Sequence, residues 1–285
     1  MKIAILGGLG IEHKSFYSND VMSKRMSMGG AGWLCALTAR ALLHEPTIFS
    51  RIGDDAEGQC IRKILTKNSI QFRGSIKGKS QYFYSSLVNG DSNSYLAQGV
   101  NPQLEDIKPY IREMCANNIL ILSYNDSSII NYFCTHKVSH NIYKVANLSG
   151  SIIDYVHKFG INALKGFQLV TLNDDELLQL SKLCNCLKID IIKILAQNNE
   201  RIFVTSKSRA TYSAGTETLL YNFDILPSVV DTIGAGDAFA TTLSTMLYNS
   251  ACIDESVRKT VCCAKKMCML NNKASISSGE WICEQ

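Results

Sequence analysis

The chain of 285 residues is 46% hydrophobic and 19% charged, with a formal net charge of +4. That balance belongs to a soluble globular protein with a sizeable core, and its scattered Lys and Arg argue against nucleic acid or a membrane surface as partner. No segment has the make-up of a signal peptide or a membrane span, and the eleven cysteines lack Cys-x-x-Cys spacing, so buried reduced thiols and a cytoplasmic setting are expected.

In chain order, residues 2–6 form a short apolar run that predicts a buried first strand. Residues 22–28 predict a strand of a small lid, 32–43 a helix, 47–52 a strand and 58–68 a helix. From 71 to 98 the pattern turns extended and aromatic, with Tyr82, Phe83, Tyr84 and Tyr95 around Asn89-Gly90-Asp91, a hairpin signal. Strands are then expected at 118–122, 143–147, 169–172 and 202–205, and helices at 174–184, 189–196 and 238–247. Alternation of strand and helix predicts an α/β fold with a mostly parallel sheet covered on both faces. The expected organisation is a single α/β domain over 1–285, with lid strands drawn from about 13–28 and 71–98.

Residues 231–239 read Asp-Thr-Ile-Gly-Ala-Gly-Asp-Ala-Phe and lead into an apolar helical stretch. Small residues at a helix start let backbone N–H groups converge on an anion. Asp237 then stands one residue beyond that cradle, as an acid/base group beside a bound phosphate would. Gly29-Gly30, before another helix, permits close backbone approach to a ligand or simply a tight turn. Asn173 and Glu176 share one face of a first helical turn, at the C-terminal end of a strand where open α/β sheets bind ligands. The pair suits Mg²⁺, which needs few protein oxygens, and equally suits a capped helix start.

The nonapeptide resembles the C-terminal signature of the ribokinase/PfkB family of carbohydrate kinases. Other segments resemble that family in order: Gly29-Gly30 with Gly32, Ile52-Gly53-Asp54-Asp55 with Gly58, Gly90 through Gly99-Val100-Asn101, Asn173 to Glu176, and Val204-Thr205. The resemblance implies a ribokinase-like three-layer α/β/α fold. It implies an ATP-dependent kinase that moves the γ-phosphoryl group to a hydroxyl, expected to be primary, of a sugar or sugar-like molecule. In that reading Asp237 is the general base and Gly234, Ala235 and Gly236 form the anion hole. Glu12, Gly29, Gly30 and Asn101 bind the acceptor, while Asn173, Glu176 and Thr205 serve ATP and, through the first two, Mg²⁺. Asp231 is implied as a ligand of a monovalent cation such as K⁺, or else caps the turn.

Departures from the family pattern cluster by role. Glu12 stands where Asp is usual, Leu34 beside Trp33 replaces an Asn, Lys207 and Ala210 replace glycines, and the C-terminal segment reads Asn272-Lys273-Ala274. Two further readings therefore stay open: a nucleoside kinase whose base stacks on Trp33 or the lid tyrosines, and a non-catalytic relative that binds a ligand or a protein partner. An exposed lid edge also leaves room for a homodimer.

Overall fold

The computed structural model describes residues 1–18, 21–88, 91–99, 101–123, 125–136, 142–226 and 229–270. The chain begins with β1 (Lys2–Leu6), leaves the main layer as β2 (Gly10–Ser18) and β3 (Val21–Gly29), and returns through α1 (Ala31–Ala41). There follow β4 (Glu45–Ile52), α2 (Ala56–Lys67), β5 (Gln71–Ile76), β6 (Gln81–Val88), β7 (Asp91–Gln98), and the short helices α3 (Leu104–Ile107) and α4 (Ile111–Met114). A regular alternation resumes with β8 (Ile119–Ser123), α5 (Ser127–Thr135), β9 (Tyr143–Asn147), α6 (Ser151–Phe159), β10 (Leu169–Asn173), α7 (Asp174–Cys184), α8 (Lys188–Asn198) and β11 (Ile202–Thr205). The last elements are β12 (Arg209–Ala214), β13 (Glu217–Asn222), α9 (Ala235–Tyr248) and α10 (Ile253–Met269).

Nine strands form the large sheet in the order β13-β12-β11-β10-β9-β8-β1-β4-β5. It is parallel from β11 to β5, and β12 runs antiparallel to both its neighbours, β11 and β13. The period-2 alternation of strands separates two cores. Ile3, Ile5, Ile119 and Ile121 point toward α1, α2, α9 and α10, while Ala4, Leu6, Leu120 and Leu122 point toward α5 to α8. Both faces are thereby sealed, which is the three-layer arrangement expected. No helix among the described residues is long and apolar enough to cross a membrane.

The second sheet is the lid, with order β3-β2-β6-β7. It differs from expectation at both ends. Residues 71–76, expected in the lid, instead pair in parallel with β4 as the edge of the large sheet, and the lid begins at Gly10, where β2 pairs in parallel with β6. Residues 89 and 90 of the expected hairpin turn lie outside the described residues. The β12–β13 hairpin was absent from the expectation because β13 is a half-exposed edge strand whose apolar signal is weak. Among the described free cysteines, Cys35, Cys263 and Cys268 are buried and Cys60 and Cys252 are exposed, so the expectation of buried thiols holds for part of them.

Candidate active site

Four adjacent parallel strands of the large sheet each end in a polar residue: Ser123 on β8, Asn147 on β9, Asn173 on β10 and Thr205 on β11. These C-terminal ends face the start of α9, whose third residue is Asp237, 9% exposed. Asp237 Oδ1 accepts from Asn147 Nδ2 at 2.8 Å, from Ser123 Oγ at 3.2 Å and from the Cys35 thiol at 3.7 Å. Thr171 Oγ1 donates to Asn147 Oδ1 at 3.0 Å, which orients the amide so that its nitrogen faces the carboxylate. Burial, reinforced by the Asp237 charge, holds the Cys35 thiol well above its ordinary pKa. It therefore stays protonated and serves as a donor. Thr171, Asn147, Ser123 and Cys35 were not anticipated, although apolar runs that end in Ser, Asn or Thr carried the signal for two of them.

The turn before Asp237 is shaped by Gly234, the N-cap of α9, at φ 89°. This left-handed conformation strains any residue with a Cβ, and a Cβ here would also meet Leu34 Cδ1 at 3.0 Å. Leu34 is thus a buried prop beneath the turn. The Ala235 N–H already donates to Thr232 O at 3.2 Å, so of the three expected cradle amides this one closes the turn. Around Gly236, exposed in the first turn of α9, an added Cβ would meet nothing within 4 Å. First-turn amides lack an intrahelical acceptor, so the open space beside Gly236 has the polarity an anion requires.

A cavity of about 620 Å³ adjoins this turn, lined by residues that include Asn173, Thr205, Lys207, Phe223, Gly236 and Lys265. It combines the Phe223 ring, with Lys265 Nζ over it at 5.9 Å from the centroid, and a second lysine, Lys207. Asn173 and Glu176 form a reciprocal capping box, with Glu176 N–H donating to Asn173 Oδ1 and Asn173 N–H to Glu176 Oε2, both at 2.8 Å. Both sequence readings of this pair, cap and ligand, remain compatible with that geometry. Burial pushes the Glu176 carboxyl up to about 7, the Asp237 and Asp175 charges add to the rise, and the Asn173 N–H opposes it. The Asn173 and Glu176 oxygens would suit Mg²⁺ held jointly with nucleotide phosphates, which needs few protein ligands. Among the described residues, no group of three or more His, Cys, Asp or Glu forms a metal site of its own.

On the acceptor side, Glu12 lies on lid strand β2, 1% exposed, and accepts from Ser85 Oγ at 3.2 Å. Gly29 lies against it: a Cβ there would stand 2.5 Å from Glu12 Cβ. Gly30, at φ 98°, has its Cβ position 2.4 Å from Gly8 O, so the glycine pair makes a tight turn as well as a close approach. Asn101 Oδ1 accepts from Gln81 Nε2 at 2.5 Å, which fastens the exit of the lid to its root. Trp33 is fully buried in the core, not in the site. Register pairs Glu12 with Phe83 and Lys14 with Ser85, and His13 with Tyr84, so the lid face bearing Glu12 is not the face bearing Tyr84, nor Tyr82 two residues before it. The Tyr95 side chain and residues 272–274 lie outside the described residues.

Lys14 was missed altogether. Its Nζ stands 3.2 Å from Glu12 Oε2 and 2.5 Å from Asp231 Oδ2, inside the junction of lid and sheet. Asp231 Oδ1 accepts from Ile233 N–H at 2.9 Å. An added K⁺ at Asp231 would compete with this ammonium, so the residues present do not fit the monovalent site that the resemblance implied.

A buried carboxylate at the head of a helix, with a nucleotide-sized cavity on one side and a lid on the other, is the layout of a small-molecule phosphotransferase. The fold is that of ribokinase-like kinases. An adenosine kinase from Sinorhizobium meliloti superimposes with a TM-score of 0.81 at 14% identity, over 97% of this chain and 96% of that one. Phosphofructokinase-2 from Escherichia coli does so with a TM-score of 0.77 at 14% identity, over 99% and 97%. In sequence, a ribokinase from Lactococcus lactis subsp. lactis (strain IL1403) is 25% identical over 251 residues, 83% of this chain and 77% of the relative. The model of the pfkB family of carbohydrate kinases matches residues 3–275, and the chain belongs to that family. It is a kinase, a phosphotransferase with an alcohol group as acceptor.

Proposed function

We infer that this kinase transfers the γ-phosphoryl group of ATP to a primary hydroxyl of a sugar or sugar-like small molecule, with Asp237 as general base. The observation that carries the reading is the fixed Asp237 carboxylate beside the open space at Gly236, between the 620 Å³ cavity and the lid. Asp237 takes the hydroxyl proton as the acceptor oxygen attacks the γ-phosphorus. Electrons of the breaking P–O bond leave with ADP. General-base assistance of this kind is worth about 10²–10⁴ in rate.

Asn147 and Ser123 hold the carboxylate on one of its oxygens, so its orientation needs no reorganisation during transfer. The first-turn amides of α9 at Gly236 and Asp237 face the migrating group and offset its charge. Glu176 and Asn173, through water and the nucleotide phosphates, would hold Mg²⁺, which neutralises the β- and γ-oxygens when bound. Thr205 and Lys207 line the nucleotide side of the same cavity.

A sugar-like acceptor is favoured over a nucleoside because, of the aromatic side chains put forward for stacking, Trp33, Tyr82 and Tyr84 are turned away from Glu12. Trp33 is in the core, and Tyr84 packs on His13 with ring centroids 5.2 Å apart, on the lid face opposite Glu12. On the face of Glu12 the carboxylate accepts from Ser85 Oγ, beside Phe83.

Substituting Gly236→Ala tests the cradle. Its Cβ meets nothing within 4 Å, so the melting temperature should hold, while kcat should fall about 10-fold or more as the methyl intrudes on the phosphoryl position. An unchanged kcat would place the phosphoryl group elsewhere.

A further inference from the structure

Lys14 belongs to no motif of the sequence, yet its ammonium is buried where the lid meets the approach to α9. The Lys14 and Asp231 side chains are each 5% exposed, and Nζ lies 2.5 Å from Asp231 Oδ2. The second Asp231 oxygen is held by the Ile233 N–H two residues on, so the carboxylate ties its own turn to a cation carried by β2. Three residues past Asp231 comes the left-handed Gly234, and then the first turn of α9. A cation at Asp231 therefore orders the backbone that shapes the cradle. A lysine ammonium supplies one positive charge and donor hydrogens, as a monovalent ion supplies one charge and an empty coordination shell. A free ion entering beside it would be dehydrated next to a like charge in a poorly screened site.

We propose that Lys14 is a built-in replacement for a free monovalent cation: its ammonium, shared between Asp231 and Glu12, occupies the cation position at Asp231 and holds the 231–236 turn, so that phosphoryl transfer does not depend on K⁺. The proposal rests on reading that turn as the phosphoryl cradle, and it makes Lys14 a positioning residue that acts through Asp231. Because Lys14 is a lid residue, the same ion pair couples lid placement to cradle order.

The test compares the wild-type protein and Lys14→Met in buffers of equal ionic strength containing KCl, NH₄Cl or tetramethylammonium chloride, reading melting temperature and acceptor-dependent ADP release. Wild type should show the same melting temperature in all three, and rates within about 2-fold, since a ligand that does not bind cannot stabilise. Lys14→Met should lose about 10-fold or more of kcat in tetramethylammonium and recover in K⁺ or NH₄⁺, with KM for ATP little changed. A wild-type melting temperature or rate that rises specifically with K⁺ overturns the proposal, as does a Lys14→Met loss that neither cation restores. Should Lys14→Met fail to fold, the wild-type comparison decides by itself, and Lys14→Arg, which keeps the charge, should retain cation-independent behaviour. The melting-temperature arm needs no turnover. Failure of the kinase reading would appear as absent ADP release in every buffer, a different outcome from K⁺-specific stabilisation.

Discussion

Asp237→Asn is expected to lower kcat by about 10²–10⁴ while leaving the melting temperature and the KM for ATP close to wild type. The substitution is isosteric, and an amide oxygen in the Oδ1 position still accepts from Asn147, Ser123 and Cys35. What disappears is the basicity that receives the acceptor proton. The lost negative charge also relieves Glu176, whose carboxyl is raised in part by Asp237, so nucleotide binding should not weaken. Steady-state kinetics with saturating acceptor, beside a thermal melt, separates loss of chemistry from loss of fold. A variant retaining activity within about 3-fold of wild type would remove Asp237 from the role of base.

Gly10→Val is expected to detach the lid. Gly10 begins β2 and pairs with Gln81 at the root of β6. A Cβ on it would stand 2.1 Å from Gln81 O and 2.9 Å from Phe83 Cε2. The first of these is backbone in the β2–β6 ladder and cannot swing aside as a flexible side-chain tip does. Overpacking of this kind costs about 1–3 kcal/mol, which in a chain of this size lowers the melting temperature by several degrees. The kinetic effect should be larger than the thermal one, because Glu12 and Lys14 lie on the displaced strand. The KM for acceptor should rise about 10-fold or more while the KM for ATP stays near wild type, since none of the described residues lining the 620 Å³ cavity belongs to the lid. Equal rises in both constants would show that the damage is general.

Local sequence signals carried most of the scaffold. Lys2–Leu6, Tyr143–Asn147, Asp174–Cys184 and Ile202–Thr205 appear as expected, because strands buried on both faces are continuous apolar runs and α7 opens on a capping box. Residues 71–76 misled, since β5 is a partly exposed edge strand whose extended pattern fits either sheet. Which sheet it joins depends on pairing with β4, a tertiary choice. Trp33 misled in a related way: α1 is buried on nearly every side, so its composition cannot tell a ligand-facing side from a core-facing one. Leu34, read as a lost polar contact, turned out to prop Gly234.

The site was legible where its residues are neighbours in sequence. Gly234 to Asp237 stood out by spacing, and Asn173 to Glu176 by spacing together with the family resemblance. Lys14 could not, because its partner Asp231 lies 217 positions away and a lone lysine in a strand ordinarily points to solvent. Asn147 and Ser123 fall between these extremes. Each is the polar last residue of an apolar strand, a pattern that places it at the ligand-binding edge of a parallel sheet before any contact is known.

The central claim is that one carboxylate, Asp237, drives phosphoryl transfer from ATP to a small hydroxyl compound. Its most direct test is an ADP-release assay run in parallel on wild type and Asp237→Asn, with Mg²⁺, ATP and a panel of sugars and nucleosides offered one at a time. A sugar should stimulate ADP release by the wild-type kinase, nucleosides should do so less, and the stimulation should be lost in Asp237→Asn. Stimulation of equal size in both proteins would contradict that claim.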